Sequence, residues 1–252
     1  MPFRAPDRQA VTPQHRGRFP GFDVLDQVHT WDDVTTGVVL ARLAPVSDLS
    51  FFTAAEDAVA RPLCDLLLAQ DDDPRIPVVA LIDARLAAGE TDGWRYDDMP
   101  PDPQAWRDTL AALDDDARAA HDQLFHVCAP QQQAALVQAV FDAGHHGEAW
   151  YAWPAAHVWS LWTRYACAAF YSHPWAWNEI GFGGPAYPRG YKNIGLDARE
   201  RWEVPDDTGE DAAGDPVPFG DRVDRARAEH GTLTGAEAAP HGRTRARQGG
   251  AA

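Results

Sequence analysis

The sequence predicts an all-α fold, an irregular helical bundle of about five helices, on three observations. No alternation of polar and apolar residues runs long enough to build a sheet. Apolar residues instead recur at spacings of three and four, between recognisable helix starts and stops. Hydrophobic residues make up 45% of the 252 and charged residues 24%, a balance that supports a buried core.

Residues 1–50 read as an extended N-terminal arm, punctuated by Pro2, Pro6, Pro13, Pro20 and Pro45. Within it Val34–Leu43 is apolar enough to dock, as a short helix or as a strand; periodicity leaves both open. A helical domain is expected over residues 51–203. Its first helix starts at the capping box Thr53–Glu56, with Phe51 and Phe52 before it as a hydrophobic staple. Val59, Leu63, Leu66 and Leu67 form its apolar stripe, which ends near Gln70. Pro62 removes a backbone hydrogen bond inside that stripe, so a kink or restart is expected there. Asp71–Asp73 read as a solvated acidic loop, because the alternating ligands and glycine of a calcium loop are missing.

The second helix opens at Pro77, carries Val78, Val79, Ile82 and Leu86, and stops at Gly89. Asp102 as N-cap with Pro103 behind it starts the third. Trp106, Leu110 and Leu113 line that helix, which is expected to run towards Leu124 and Phe125 with Asp114–Asp116 in water. Pro130 starts the fourth, which stops at Gly144, and Pro154 starts the fifth, which runs through Phe170. Two stripes of the fifth are apolar, Val158, Leu161, Trp162, Tyr165 and Ala169, then Ala155, Trp159, Ala166 and Phe170. Arg164 is its one charge. A helix apolar nearly all round must be covered on several sides. Residues 204–252 are rich in Gly, Ala, Pro and Asp, and read as a disordered tail that buries too little surface to offset its ordering entropy.

Charge narrows the function. Lys+Arg 22 against Asp+Glu 38 gives −16, which argues against a nucleic-acid partner and against adhesion to an anionic membrane. No run of about 18 apolar residues occurs, so no direct membrane insertion is expected. The opening residues contain no apolar signal core and no twin-arginine pair, so a cytoplasmic location is expected. Cys64, Cys128 and Cys167 are an odd, sparse set without CxxC spacing and read as small buried hydrophobes.

Tryptophan is the uneven residue: six of the ten lie between Trp150 and Trp177, and the stretch beyond them departs from helical patterning. From Tyr171 to Lys192, glycines and prolines imply a defined, non-repetitive backbone that carries aromatics and few charges. Trp, Tyr and Arg are the residue types enriched at interface hot spots, and an exposed apolar loop of this kind needs a partner. The candidate partner-interface residues are Tyr171, His173, Trp175, Trp177, Asn178, Glu179, Phe182, Gly183, Gly184, Tyr187, Arg189 and Tyr191.

Catalytic readings of the same letters fail. Gly181–Ala186 fits G-x-G-x-x-A, but Pro185 and Pro188 interrupt the helix that should hold a pyrophosphate, and no βαβ unit surrounds it. No G-x-S-x-G elbow, H-E-x-x-H pair or P-loop is present. His145, His146 and Glu148 read as a polar turn. Nothing in the sequence brings His173, Glu179 and Asp83 together as an acid/base set. No catalytic, metal or cofactor residue is therefore assigned.

FFTAAED at Phe51–Asp57, PVVALIDARL at Pro77–Leu86 and above all FYSHPWAWNEIGFGGPAYPRGY at Phe170–Tyr191 resemble the gluconate 2-dehydrogenase subunit 3 family. The resemblance covers roughly residues 51–203 and is specific in the last block. It implies a non-catalytic helical gamma subunit that accompanies a flavin-dependent dehydrogenase of the glucose-methanol-choline (GMC) oxidoreductase class. FAD and the acid/base residues would then lie on the large subunit. The small one would bind it and support its folding, flavin loading or assembly, with room for a cytochrome c subunit in the complex. The family's aromatic, proline, asparagine and glycine-rich turn map onto Tyr171, Pro174, Asn178 and Gly181–Gly184. Many members begin with a twin-arginine signal and this chain does not, so export is expected only if the partner carries the signal. The competing reading is a stand-alone enzyme or sugar-binding module, with Trp175, Trp177, Tyr187 and Tyr191 lining a cleft beside Asn178 and Glu179.

Overall fold

The apolar helix that must be covered on several sides is Ala155–Tyr171, and it organises the bundle. The structure is a computed structural model that describes residues 11–13, 19, 22–44, 48–188 and 190, all within one compact unit. A 3₁₀ helix at Val24–Thr30 leads into α1 (Asp33–Ala41). Then come α2 (Ala54–Leu68), α3 (Val78–Ala87), α4 (Asp102–His121), a 3₁₀ turn at Phe125–Val127 and α5 (Pro130–His145). A two-residue hairpin follows, β1 (Ala149–Trp150) antiparallel to β2 (Trp153–Pro154) with Trp150 opposite Trp153. It turns the chain into α6 (Ala155–Tyr171), and α7 (Pro174–Ile180) ends the described helices. The fold is all-α apart from this hairpin. The stretch read as an extended arm contains two helical pieces, and the docking segment left open between helix and strand is α1.

α6 packs against α2, α3, α4, α5 and α7. Val158, Leu161, Trp162, Tyr165 and Ala166 on it are buried. Burying an aromatic with a polar tip costs free energy where the tip has no partner. Trp162 Nε1 donates to Thr109 Oγ1 at 3.0 Å, and the Tyr165 hydroxyl donates to Asp102 Oδ2 at 2.7 Å. Both partners lie on α4, so these bonds fix its register against α6. Phe52, Trp106 and Tyr165 continue edge-on through the core.

Local signals account for most boundaries. The α2 capping box is present: Thr53 N–H donates to Glu56 Oε2 at 2.7 Å, and Glu56 N–H donates back to Thr53 Oγ1. Pro62 neither breaks nor restarts α2, which runs unbroken through it. The bond forfeited is a single one, and burial of Val59, Ala60, Leu63 and Cys64 on either side offsets it. α4 begins one residue earlier than the cap reading has it, with Pro101 as N-cap. The Asp102 carboxylate is engaged by Tyr165, not by a backbone N–H of its own helix. α4 stops at His121, where Asp122 turns left-handed (φ 55°), instead of reaching Phe125.

Two acidic residues assigned to water have structural roles. Asp114 Oδ1 accepts the Phe125 N–H at 2.8 Å, and the Asp116 carboxylate accepts Trp150 Nε1 and the Tyr151 hydroxyl, which pins the hairpin to α4. Cys64 and Cys128 are buried as expected, whereas Cys167 lies on the exposed side of α6.

The strongest constraint outside the core is Asp83, 2% exposed on α3. Its carboxylate accepts three successive backbone N–H groups, from Ser50 (2.7 Å), Phe51 (2.9 Å) and Phe52 (2.7 Å), and the Ser50 hydroxyl. It thereby ties the staple before α2 to α3. Burial alone would push this carboxyl up, but the three N–H groups outweigh it and hold it below the ordinary carboxylate range. A depressed folded-state value means stability that is present at neutral pH and lost as pH falls through that value. Asp83→Ala leaves buried N–H groups unpaired, at roughly 1–3 kcal/mol each where water cannot replace the carboxylate. Urea titration is therefore expected to give a midpoint at pH 7 lowered at unchanged slope, and a deficit that shrinks as the wild type is acidified. An unchanged midpoint would contradict this role.

Candidate partner-binding site

The segment expected to be an irregular loop contains a helix. His173 is the N-cap of α7, its Nδ1 accepting the Trp175 N–H at 3.2 Å. Pro174 occupies the first turn, and Gly181 closes the helix in the left-handed conformation (φ 70°). These are ordinary start and stop signals at short spacing. The richness of the segment in glycine and proline conceals them.

α7 does not present its tryptophan to solvent. Trp177 is 5% exposed, its Nε1 donating to the Tyr171 carbonyl at 2.6 Å. Its ring forms a second hydrophobic cluster with Val24, Trp31 and Val39, separate from the main core. The covering segment is the chain's own N-terminal stretch, and Asn178 fastens it. Asn178, 2% exposed, accepts the Val24 N–H at 2.7 Å and donates through Nδ2 to the Val11 carbonyl at 2.9 Å and to Asp23 Oδ1 at 3.4 Å. Arg42 closes the far end, donating to the Ser172 carbonyl at 2.8 Å with its guanidinium 5.6 Å from the Trp177 ring centroid.

The glycine turn is shaped to the same stretch. A Cβ on Gly184 (φ 75°) would stand 2.6 Å from Trp31 Cζ2 and 3.0 Å from Val24 Cγ2. Only glycine combines that backbone conformation with that approach.

The candidate interface residues therefore divide. His173, Trp177, Asn178, Gly183 and Gly184 are buried, and Trp175 and Glu179 are half-buried. Tyr171 (49%), Phe182 (42%) and Tyr187 (68%) are exposed, and Ile180, which the sequence reading passed over, joins them at 46%. Arg189 and Tyr191 lie outside the described residues. Trp177 and Asn178, two members of the alternative sugar cleft, are covered by the chain itself, and Tyr191 of that set lies outside the described residues.

The trial acid/base set does not assemble. Asp83 is engaged by Ser50–Phe52, and His173 caps α7. Burial pushes the His173 imidazole down to about 4, with the nearby Arg42 charge adding to the effect, so it is neutral at pH 7. His145, His146 and Glu148 are exposed at the end of α5. Among the described residues no three His, Cys, Asp or Glu side chains are grouped to hold a metal ion, and no helix is long and apolar enough to cross a membrane. The G-x-G-x-x-A stretch follows a helix and not a strand, and no described helix begins after it.

The family model for gluconate 2-dehydrogenase subunit 3 matches residues 54–184, just over half of the chain. The chain belongs to that family. No curated protein and no solved structure matches it. The subunit 3 match begins at the first residue of α2 and ends at Gly184, where the backbone meets Trp31. It contains α2 to α7, and the N-terminal stretch that covers α7 precedes it. In this subunit 3 chain the resembling motifs are physically joined: Asp83 of the second motif holds Phe51 and Phe52 of the first, while the third leaves α6 to form α7.

Loss of the Asn178 carboxamide leaves the Val24 N–H unpaired and buried. Asn178→Ala is expected to cost about 1–3 kcal/mol and to raise hydrogen exchange in residues 22–41 before that of α2–α6. Uniform loss of protection across the chain would contradict the separate cluster. His173 gives a pH signature. Its folded-state value lies below the ordinary 6.5, so the unfolded chain takes up a proton first and stability falls as pH drops from 6.5 towards 4. His173→Asn keeps a capping acceptor and should flatten that part of the stability–pH curve; an unchanged slope would refute the assignment.

Proposed function

We propose that this chain is the non-catalytic gamma subunit of a flavin-dependent dehydrogenase of the GMC class, and that it binds the large subunit through the outer edge of the α7 segment. One observation carries the reading. At the end of the family-matched region, a segment braced from behind by Asn178 and the Trp177 cluster turns Ile180 and Phe182 outward, with Tyr187 exposed just past the match and Tyr171 exposed at the end of α6. Rigid aromatic area of this kind loses little conformational entropy on binding, and it is the usual material of interface hot spots. FAD and the reacting groups belong to the large subunit in this reading. The gamma subunit contributes a preformed surface on which the large subunit folds, loads flavin or assembles.

Burial sorts the substitutions. Trp177→Ala acts first on folding, because it opens the second cluster, whereas Phe182→Ala and Tyr187→Ala remove exposed rings. Tyr187→Ala is expected to leave folding stability within about 0.5 kcal/mol, and Phe182→Ala, which also loses the edge contact with the Trp177 ring at 5.5 Å, to cost about 0.5–1.5 kcal/mol. Each that falls at the centre of the contact should weaken the complex by about 2 kcal/mol or more. The test is co-expression of the neighbouring flavoprotein with the wild type, with each variant and alone, followed by co-purification, flavin content and dehydrogenase activity. The reading expects copurification and higher flavin occupancy with the wild type, and loss of both with the double variant. Equal yield, flavin and activity with and without this chain would overturn it.

A further inference from the structure

Helix α1 is covered on one side only among the described residues. Val39 turns inward to the Trp177 cluster, while Val34, Gly37, Val38 and Ala41 are exposed. These four recur at spacings of three and four, the pattern of a single helical face. Val34 is 75% exposed and Val38 53%, and Leu40 is exposed on the flank. Asp33 is the only charge in the helix. A helix so uniformly apolar is ordinarily covered on more than one side, so the outer face of α1 calls for a partner.

Gly37 points the same way. Glycine inside a helix weakens it, and nothing within this chain requires one here, because a Cβ at this position would meet nothing within 4 Å. The missing side chain leaves a shallow dimple between Val34, Val38 and Ala41. Such a dimple admits a close approach from outside the chain.

Continuity and area indicate the occupant. Val39 lies in the Trp177 cluster, and Phe182 meets the same ring edge-on at 5.5 Å. Val38, the chain neighbour of Val39, and the exposed Phe182 are thus grouped around one buried tryptophan. A stable interface buries about 800 Å² on each partner, drawn from roughly 20–30 residues. Tyr171, Ile180, Phe182 and Tyr187 alone fall well short of that. The α1 face supplies further apolar surface beside them.

We infer that the outer face of α1 is a second part of the docking surface for the flavoprotein large subunit, and that the Gly37 dimple receives a bulky apolar side chain of that partner. The inference rests on the partner reading above and extends it to residues that precede the family-matched region. The contact is apolar, because the face offers no charge between Asp33 and Arg42. A partner seated on α1 also presses the N-terminal cover onto Trp177, so docking and bracing reinforce each other.

The test measures the affinity of the full chain for the purified large subunit by surface plasmon resonance, with Gly37→Leu, Val38→Asp and Val38→Ile beside the wild type. Gly37→Leu fills the dimple with a better helix former, so the free chain should keep or raise its thermal midpoint while affinity falls about tenfold or more. Val38→Asp puts a charge on the face and should weaken binding to a similar degree, whereas Val38→Ile should bind as the wild type does. Because Gly37→Leu favours the helix, it remains decisive even where Val38→Asp lowers stability. A wild type that does not bind the large subunit overturns the partner reading and this inference together. Binding that Phe182→Ala with Tyr187→Ala abolishes, but that Gly37→Leu and Val38→Asp leave within about twofold, overturns this inference alone. A free chain found dimeric by light scattering, and made monomeric by Val38→Asp, assigns the face to a second copy and also overturns it.

Discussion

A helix that is apolar on nearly every side must be covered on nearly every side, and α6 sets that demand for the whole molecule. α2, α3, α4 and α5 meet it over most of the helix, and α7 folds back at its end. The polar tips of its aromatics add a second demand, because an unpaired buried donor costs roughly 1–3 kcal/mol. Thr109 and Asp102 on α4 satisfy Trp162 and Tyr165, so packing and hydrogen bonding fix the same register. The single charge on α6, Arg164, lies towards the loop of residues 88–101, where Asp92 and Asp102 hold it.

The α7 segment obeys the same rule one layer further out. Trp177 projects from the main core and needs a cover of its own, which Val24, Trp31 and Val39 supply. The cover is polar at its edges, and Asn178 satisfies the backbone of a segment 154 residues away at Val24. α1 on the outside of this cover leaves Val34 (75%) and Val38 (53%) in solvent, so the second cluster is one layer thick where the main core is several. This two-tier build separates stability from display: the inner tier carries folding, and the outer tier positions the aromatic edge that the proposed role requires.

Signals that are local in sequence were legible. The Thr53–Glu56 box, the prolines at helix starts and the stripes of α2 to α6 mark their elements because capping and periodicity are decided within a few residues. What escaped is long-range. Asp83 and Asn178 look like ordinary polar residues until the fold brings distant backbone to them. Asp102 carries the letters of an N-cap, yet Tyr165, which arrives from α6, claims the side chain. Composition identified the aromatic block as unusual but could not say which side of it the chain itself would cover, so Trp177 and Asn178 looked as available as Phe182 and Tyr187. An irregular loop was expected where α7 stands because glycine and proline dominate the letters, although His173, Pro174 and Gly181 spell a short helix. The cleft beside Trp94 had no sequence signal beyond an aromatic among acidic residues, since its walls are the loop of residues 88–101 and the first turn of α4, which only the folded chain brings together.

In the proposed role, the working part of this chain is the braced edge of the α7 segment. Hydrogen exchange of the chain, free and in complex with the flavoprotein subunit proposed as its partner, tests it most directly. The account predicts that protection rises in the peptide spanning residues 180–188 on complex formation, while α2 to α5 keep the protection they have in the free chain. Unchanged exchange across residues 171–188, with protection gained elsewhere on the bundle, would contradict it.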